Sequence, residues 1–299
     1  MRKIKIIYNP TSGSQGNKKT IDNISCKLLD KGYLIQKVYT TGQNSAYEET
    51  IKADKDGFDI VIACGGDGTV NEVVNGLVKV KSNMKLGIFP LGTVNDFAYY
   101  LGLDTSSKTL TELIEEDEFI NVDIGIAGEK NFINVAAGGL LANVGHETAK
   151  GSKAMFGRLA YVAEGIRIIP DIITNDFNLK YKIDDKEYED NVYLFLIANS
   201  SSIGGFKKAA PNASVSDGYL DCVIIKSLDK ITDLAQVFLQ VLSGGHINND
   251  DVRYFHAKKI EMTSDSSIEV DVDGEYAGEL PMEFKLSDYK AKVFANSKE

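Results

Sequence analysis

Residues 58–80 read FDIVIACGGDGTVNEVVNGLVKV, an apolar run joined to an amphipathic one through a glycine-rich junction. Ile60, Val61, Ile62, Ala63 and Cys64 are unbroken by a polar residue, the pattern of a parallel strand buried on both faces. Beyond the glycines, Val70, Val73, Val74, Leu77 and Val78 recur at helical spacing, and Thr69 and Glu72 stand three apart as in a capping box. The glycines therefore fall where a strand feeds a helix N-terminus, a place whose backbone N–H groups and dipole attract anions. Lacking Cβ atoms, they let a phosphate approach the backbone closely. A tight turn that needs positive φ angles would use the same residues. Asp67 separates the two readings. A carboxylate beside a phosphate cradle is repulsive unless a divalent cation lies between them, which points to Mg²⁺-nucleotide chemistry.

The strand–helix alternation extends through the first 120 residues. KIKIIYN (3–9) is a strand followed by the polar turn PTSGSQGN, and Ile21, Ile24, Leu28 and Leu29 mark a helix ending before Gly32. YLIQKVYT (33–40) is a second strand, and Ser45 and Glu48 carry another capping-box spacing. KLGIFPLGT (85–93) runs into a second strand-to-helix junction at GTVNDFAYYLGL, and SKTLTELIEED (107–117) is a further helix. Such alternation predicts a parallel sheet covered on both faces, with ligands beyond the carboxyl ends of its strands, where Asp67 and Asp96 both fall.

After residue 120 the rhythm changes. The spacing predicts two strands around a turn at 128–131, a helix over 146–170 and a hairpin around Asp184–Asp185. A strand at 218–225, a helix at 233–244 and a strand pair over 267–286 follow, so the second half is a β-rich domain. The boundaries expected are 1–122, rejoined by about 286–299, and 123–285.

Composition narrows the function. Net charge of −10 argues against a nucleic-acid partner, which a basic stripe would accompany. Cys26, Cys64 and Cys222 form no CxxC pair, so each is expected to be a buried apolar side chain rather than a thiolate ligand. His146, His246 and His256 share no metal-ligand spacing. No signal-peptide pattern precedes the first strand and no apolar run reaches bilayer length, so the expected location is the cytoplasm.

IIYNPTSG (6–13), GGDGTVNEVVNG (65–76), PLGTVNDFA (90–98), NVAAGG (134–139), PNASVSDGYLD (211–221) and VDGEYAGELP (272–281) together resemble the diacylglycerol-kinase catalytic family of soluble bacterial lipid kinases. The resemblance spans essentially the whole chain. It implies an N-terminal Rossmann-like α/β domain and a C-terminal β-sandwich, with the active site in the interdomain cleft. It also implies transfer of the ATP γ-phosphate to the hydroxyl of 1,2-diacylglycerol, with Mg²⁺ as the metal.

Carried over onto this chain, the resemblance makes Asn9, Pro10, Thr11, Ser12 and Gly13 the first nucleotide-contacting loop and Thr40 a neighbour of the nucleotide. Gly66, Asp67, Gly68, Thr69, Val70, Asn71 and Glu72 match the signature loop, and Thr93 the next nucleotide contact. Glu72 serves either the ligand or the capping box, and Thr93 or Asn95 doubles as a helix N-cap. Asp67 and Asp96 form an acidic, metal-organising pair, with Glu275 as general base. Asp217, with main-chain carbonyls of Ser214 and Tyr219, matches a second, structural Mg²⁺ site, although Ser214 offers no carboxylate. Arg158, Arg167 and Arg253 match no motif, and no arginine finger is identifiable.

A diacylglycerol substrate lies in a bilayer, so transient peripheral docking is expected. Lys150, Lys153 and Arg158 beside Met155 and Phe156 are one candidate, and Lys207–Lys208 after Phe206 another. Family analogy also allows a homodimer. The rival readings are an NAD kinase, a kinase of another lipid (sphingoid base, ceramide, monoacylglycerol, undecaprenol) and a nucleotide-binding regulator without turnover. Retention of Asp67, Asp96 and Glu275 together argues against the regulator.

Overall fold

The computed structural model describes residues 1–12, 17–139, 176–228 and 231–296. The expected helix over 146–170, and with it Lys150, Lys153, Met155, Phe156, Arg158 and Arg167, lies outside them, as does Gly13. The chain forms two compact units, Met1–Val122 with Asp288–Glu299, and Asp123–Ser287.

The first unit runs β1 (Lys3–Tyr8), α1 (Asn17–Asp30), β2 (Leu34–Tyr39), α2 (Ser45–Lys55), β3 (Ile60–Gly65), α3 (Asp67–Val80), β4 (Lys85–Pro90), α4 (Asp96–Tyr100), α5 (Ser107–Glu116) and β5 (Phe119–Val122). A strand from the end of the chain, β17 (Ala291–Phe294), inserts between β4 and β5 to give the order β2-β1-β3-β4-β17-β5. All neighbours are parallel except β17 and β5. The apolar run of β3 is buried along its whole length because β1 and β4 flank it and helices cover the sheet. Val70, Val73, Val74 and Leu77 form the buried stripe of α3, each contributing about 1.5–3 kcal/mol of burial. A carboxylate at Val73 would leave an unpaired charge in that stripe.

Neither expected capping box forms. The N-cap of α3 is Gly66, which places Thr69 inside the first turn, and no side chain caps either α2 or α3 from its N-cap position. Asn44 caps α2 in a left-handed conformation, and the Ser45 hydroxyl instead accepts from the Thr41 N–H at 3.1 Å. Capping-box spacing constrains only local chemistry; here Thr69 and Glu72 pair with residues far away in sequence, and Ser45 with Thr41 four residues before it. One further expectation fails: Cys26 is exposed, whereas Cys64 and Cys222 are buried.

The second unit contains β6 (Gly125–Ala127), β7 (Lys130–Phe132), β8 (Val135–Gly139), β9 (Phe177–Ile183), β10 (Lys186–Ala198), β11 (Leu220–Lys226), β12 (Val252–Ala257), β13 (Lys259–Ser264), β14 (Glu269–Val272), β15 (Glu275–Glu279) and β16 (Met282–Leu286). All pairings are antiparallel, in the path β15-β14-β8-β10-β9-β13-β16-β6-β7 with β11 and β12 branching from β10. The two strands expected over 119–139 are four. Phe119–Val122 belongs to the first unit, and short apolar runs do not reveal where a chain changes sheets. The pair expected over 267–286 is three strands, and β12 and β13 have no counterpart in the sequence reading.

Alternation along β10 and β11 builds two cores. Phe195, Ile197, Cys222 and Ile224 face one, while Leu194, Leu196, Val223 and Ile225 face the other. The first is the sandwich interior. The second is closed by α6 (Ile231–Ser243), through Leu234 and Val237, and by Ile203 and Phe206. Phe206 is thus buried, so the basic pair Lys207–Lys208 is exposed without the aromatic neighbour expected beside it.

Candidate functional site

Four parallel strands deliver the predicted nucleotide residues to one edge of the first sheet. Asn9 follows β1, Thr40 follows β2, Gly66 and Asp67 follow β3, and Thr93 to Asp96 follow β4. The loops are tied together at that edge. Asn9 Nδ2 donates to the Thr69 hydroxyl at 3.3 Å, and Asn9 Oδ1 accepts from the Thr11 amide at 3.0 Å and hydroxyl at 2.8 Å. The Ser12 N–H reaches the Asn9 carbonyl and the Thr40 N–H the Tyr8 carbonyl, while Pro10 and Thr11 are exposed.

The two glycine junctions meet backbone to backbone. A Cβ on Gly66 would lie 3.1 Å from the Gly92 Cα, and the Leu91 N–H donates to the Gly65 carbonyl at 2.8 Å. Asn95, in the left-handed region at φ 54°, closes the second loop by accepting from the Gly92 N–H and donating to its carbonyl, both at 2.8 Å. Thr93 is left exposed at the tip. By contrast, a Cβ on Gly68 would meet nothing within 4 Å, and this glycine is exposed in the first turn of α3. No neighbour among the described residues requires its bare backbone.

Asp67 and Asp96 begin α3 and α4, so each carboxylate sits where a helix starts; Asp67 is half-buried and Asp96 buried. Val70 packs into the core, and its N–H is bonded to the Gly66 carbonyl, so its side chain is unavailable to a ligand. Asn71 is buried and accepts from Asn75 Nδ2 at 2.9 Å. Glu72 points to α2: Oε1 accepts from the Asn44 N–H at 3.0 Å and Oε2 from the Ala46 N–H at 2.9 Å. It therefore satisfies the N-terminus of a neighbouring helix rather than its own.

In the second unit Glu275 opens β15, exposed, directly after the two-residue turn Asp273–Gly274. Both turn residues have positive φ, 48° and 90°, as a type I′ hairpin requires. Asp273 accepts from three successive backbone amides, Ile133 at 2.7 Å, Asn134 at 3.0 Å and Val135 at 2.8 Å. Asp271 accepts from the Gly274 N–H at 2.7 Å; burial first, and then the charges of Asp273 and Glu275, push its carboxyl up to about 7 against the pull of that bond.

Asp217 is exposed in the loop before β11, where its Oδ1 accepts from the Tyr219 N–H at 3.0 Å and its Oδ2 lies 3.7 Å from His256 Nε2. The Tyr219 ring stacks on His256 at 4.2 Å, and Asp221 lies 3.4 Å from the other ring nitrogen. Burial raises the Asp221 carboxyl against the hydrogen bond from Tyr254. The loop is anchored beneath by Asp123, whose carboxylate accepts from the Gly218 N–H at 2.8 Å and whose N–H donates to the Val215 carbonyl at 2.7 Å. No three His, Cys, Asp or Glu side chains converge on one point among the described residues. An oxygen-only set of one carboxylate with main-chain carbonyls and water still suits Mg²⁺, which keeps several waters.

Asp123, Asn134, Asn199, Ser200 and Asp273 form a polar framework that sequence reasoning assigned to no role. Asn199 Nδ2 donates to the Asp123 and Ile133 carbonyls at 2.8 Å each, Asn134 Nδ2 to the Ser202 carbonyl at 3.0 Å, and the Ser200 hydroxyl to Asn134 Oδ1. Of the five, Asn134 carried a signal in the sequence, opening the otherwise small and apolar motif NVAAGG.

A parallel sheet with a glycine-lined, carboxylate-bearing edge, joined to an antiparallel sandwich, defines a class of two-domain phosphotransferases. Residues 3–127 match the Diacylglycerol kinase catalytic domain family, and residues 134–295 match the YegS C-terminal NAD kinase beta sandwich-like domain. Diacylglycerol kinase of Staphylococcus haemolyticus (strain JCSC1435) is 38% identical over 285 residues, covering 95% of this chain and 86% of that protein. Diacylglycerol kinase of Bacillus subtilis (strain 168) is 36% identical over 289 residues, covering 95% and 93%. A crystal structure from Bacillus anthracis str. Sterne, provisionally described as a diacylglycerol kinase, superposes with a TM-score of 0.83 at 27% identity, covering 99% of this chain and 97% of that one. The chain belongs to the diacylglycerol kinase family and is a kinase.

Proposed function

We propose that the protein transfers the γ-phosphate of ATP to the hydroxyl of 1,2-diacylglycerol, giving phosphatidic acid and ADP. The observation that carries this reading is Gly68, whose missing Cβ faces open space at the start of α3 beside Asp67. Gly66 and Gly92 are accounted for by their mutual contact, whereas Gly68 leaves the helix N-terminus bare toward an incoming anion. The Asn9 and Thr93 loops on the same edge would flank the nucleotide.

Asp67 and Asp96 would hold Mg²⁺ against the phosphates, and the Asp217 loop, with carbonyls of Ser214 and Tyr219, would hold a second ion. When bound, the metal neutralises phosphate charge. Glu275 is exposed and takes the proton from the acceptor hydroxyl as its oxygen bonds to the γ-phosphorus. The bridging P–O bond breaks, and ADP leaves with that electron pair. Among the described residues no helix is long and apolar enough to cross a membrane. The lipid would be met by transient docking at a bilayer surface, the protein itself lying in the cytoplasm.

The test is phosphate transfer from labelled ATP and Mg²⁺ to diacylglycerol in mixed micelles, with sphingosine, ceramide and NAD⁺ as parallel acceptors and Glu275→Gln alongside. Diacylglycerol phosphorylation that collapses in the variant supports both substrate and base. Transfer to NAD⁺ in place of lipid overturns the reading. Lipid phosphorylation that survives the substitution removes Glu275 from its role.

A further inference from the structure

The turn that presents Glu275 is held more firmly than a hairpin needs. An Asp-Gly pair adopts a two-residue turn through backbone preference alone, without a tether. Here the Asp273 carboxylate reaches across to a segment far away in sequence and takes three consecutive amides, those of Ile133, Asn134 and Val135, within 3.0 Å. The Asp273 N–H returns a bond to the Val135 carbonyl at 2.9 Å, so the attachment is reciprocal. The donor segment is itself fixed. Asn199 holds the Ile133 carbonyl, and the Asn134 side chain is bonded to Ser202 and Ser200.

The chemistry of the pocket selects aspartate. Three N–H donors converge, and only a carboxylate offers acceptors on both oxygens with no hydrogen of its own. Asparagine forms the same turn at least as readily, yet its NH₂ would face a donor. Bonds to an ionised acceptor are shorter and stronger than neutral ones. Glu275 is two residues beyond this anchor and exposed, so its direction is set by the turn rather than by packing around its own side chain.

We infer that Asp273 is a positioning residue: through its bonds to residues 133–135 it fixes the turn that aims the Glu275 carboxylate at the acceptor hydroxyl. This rests on the reading of Glu275 as the general base. A displacement of about 1 Å at a reacting group costs roughly a hundredfold in rate, so a loosened turn is felt in the chemical step while nucleotide affinity stays as it was.

The experiment is a double-mutant cycle with Asp273→Asn and Glu275→Gln, assayed by diacylglycerol phosphorylation, with circular dichroism and thermal melts on each variant. Asp273→Asn is expected to lower kcat by about 10- to 100-fold with the KM for ATP within about twofold of wild type. In the Glu275→Gln background the same substitution should change kcat by less than about twofold, because the residue acts only through Glu275. A residue that merely supports the fold would give drops that multiply. Multiplying drops therefore overturn the inference, as does a folded Asp273→Asn with wild-type kcat. Should Asp273→Asn fail to fold, Asp273→Glu takes its place in the cycle with the same expectations. Failure of both to fold overturns the inference in favour of a residue that holds the whole unit together. If Glu275→Gln alone retains full activity, the base reading has failed and the inference falls with it, an outcome separate from the others.

Discussion

A Cβ built on Gly92 would lie 2.7 Å from the Gly66 Cα, so the two glycine junctions of the first sheet touch through their backbones. Such contact locks the loop carrying Asp67 to the loop carrying Asp96. It also explains two of the junction glycines without reference to any ligand, whereas among the described residues no neighbour demands Gly68.

Gly92→Ala should therefore cost about 1–3 kcal/mol, the usual penalty of overpacking, and lower activity by separating the two loops. Gly68→Ala should do the reverse. The site is open and helical, where alanine is favoured over glycine by up to about 1 kcal/mol, so the melting temperature should hold or rise. Its KM for ATP should nevertheless rise about tenfold as the new methyl blocks phosphate approach. Thermal melts set beside ATP titrations of the two variants check both, and an unchanged KM in Gly68→Ala would remove that glycine from the nucleotide site.

Glu72 is expected to act on stability rather than on ATP. Its two oxygens serve the Asn44 and Ala46 amides at the start of α2, so Glu72→Ala should cost about 1–2 kcal/mol, the range for loss of a helix cap. Glu72→Gln, with one acceptor left, should fall between. Urea denaturation measures the cost, and a KM for ATP within about twofold of wild type confirms that Glu72 is not a nucleotide ligand.

The alternation of buried apolar runs with amphipathic stretches made the parallel sheet legible, because β3 and α3 each announce their burial in the chemistry of consecutive residues. The glycine junctions, Asp67 and Asp96 were legible for the same reason: strand-to-helix loops are local. What stayed hidden depends on contacts distant in sequence. Nothing near Glu72 discloses that its partners are Asn44 and Ala46, and nothing near Asp273 discloses the amides of residues 133–135. The four short strands over 119–139 were read as two because β5 and β6 are four and three residues long, and their division between units follows from pairing partners far along the chain.

Asp271 makes stability fall as pH rises. In the unfolded chain its carboxyl ionises near the ordinary 3.8, whereas the folded protein holds the proton up to about 7. Between these values the unfolded state binds fewer protons, so folding is progressively disfavoured, with no further loss above the folded value. Asp271→Asn keeps an acceptor for the Gly274 amide and removes the titration. It should match wild type at pH 4 and exceed it by on the order of 1–2 kcal/mol at pH 8, a figure reduced from the full shift because the side chain is partly solvated. Urea denaturation of both proteins at the two pH values measures this; a wild-type slope that persists in the variant would place the titration elsewhere.

Asp217 should govern a Mg²⁺ effect separable from turnover. Its carboxylate is exposed in a loop whose backbone is pinned from below by Asp123, so a cation bound there would tighten the folded second unit. Without nucleotide, Mg²⁺ at ten times its dissociation constant should stabilise the wild-type protein by about 1.4 kcal/mol. Asp217→Ala should lose that stabilisation, while Glu275→Gln, remote from the loop in sequence and retaining Asp217, should keep it in full. Chelation should reverse the effect in wild type and leave Asp217→Ala where it was. Thermal melts with and without Mg²⁺ read all four cases, and an Asp217→Ala protein that still gains stability would place the ion at other donors.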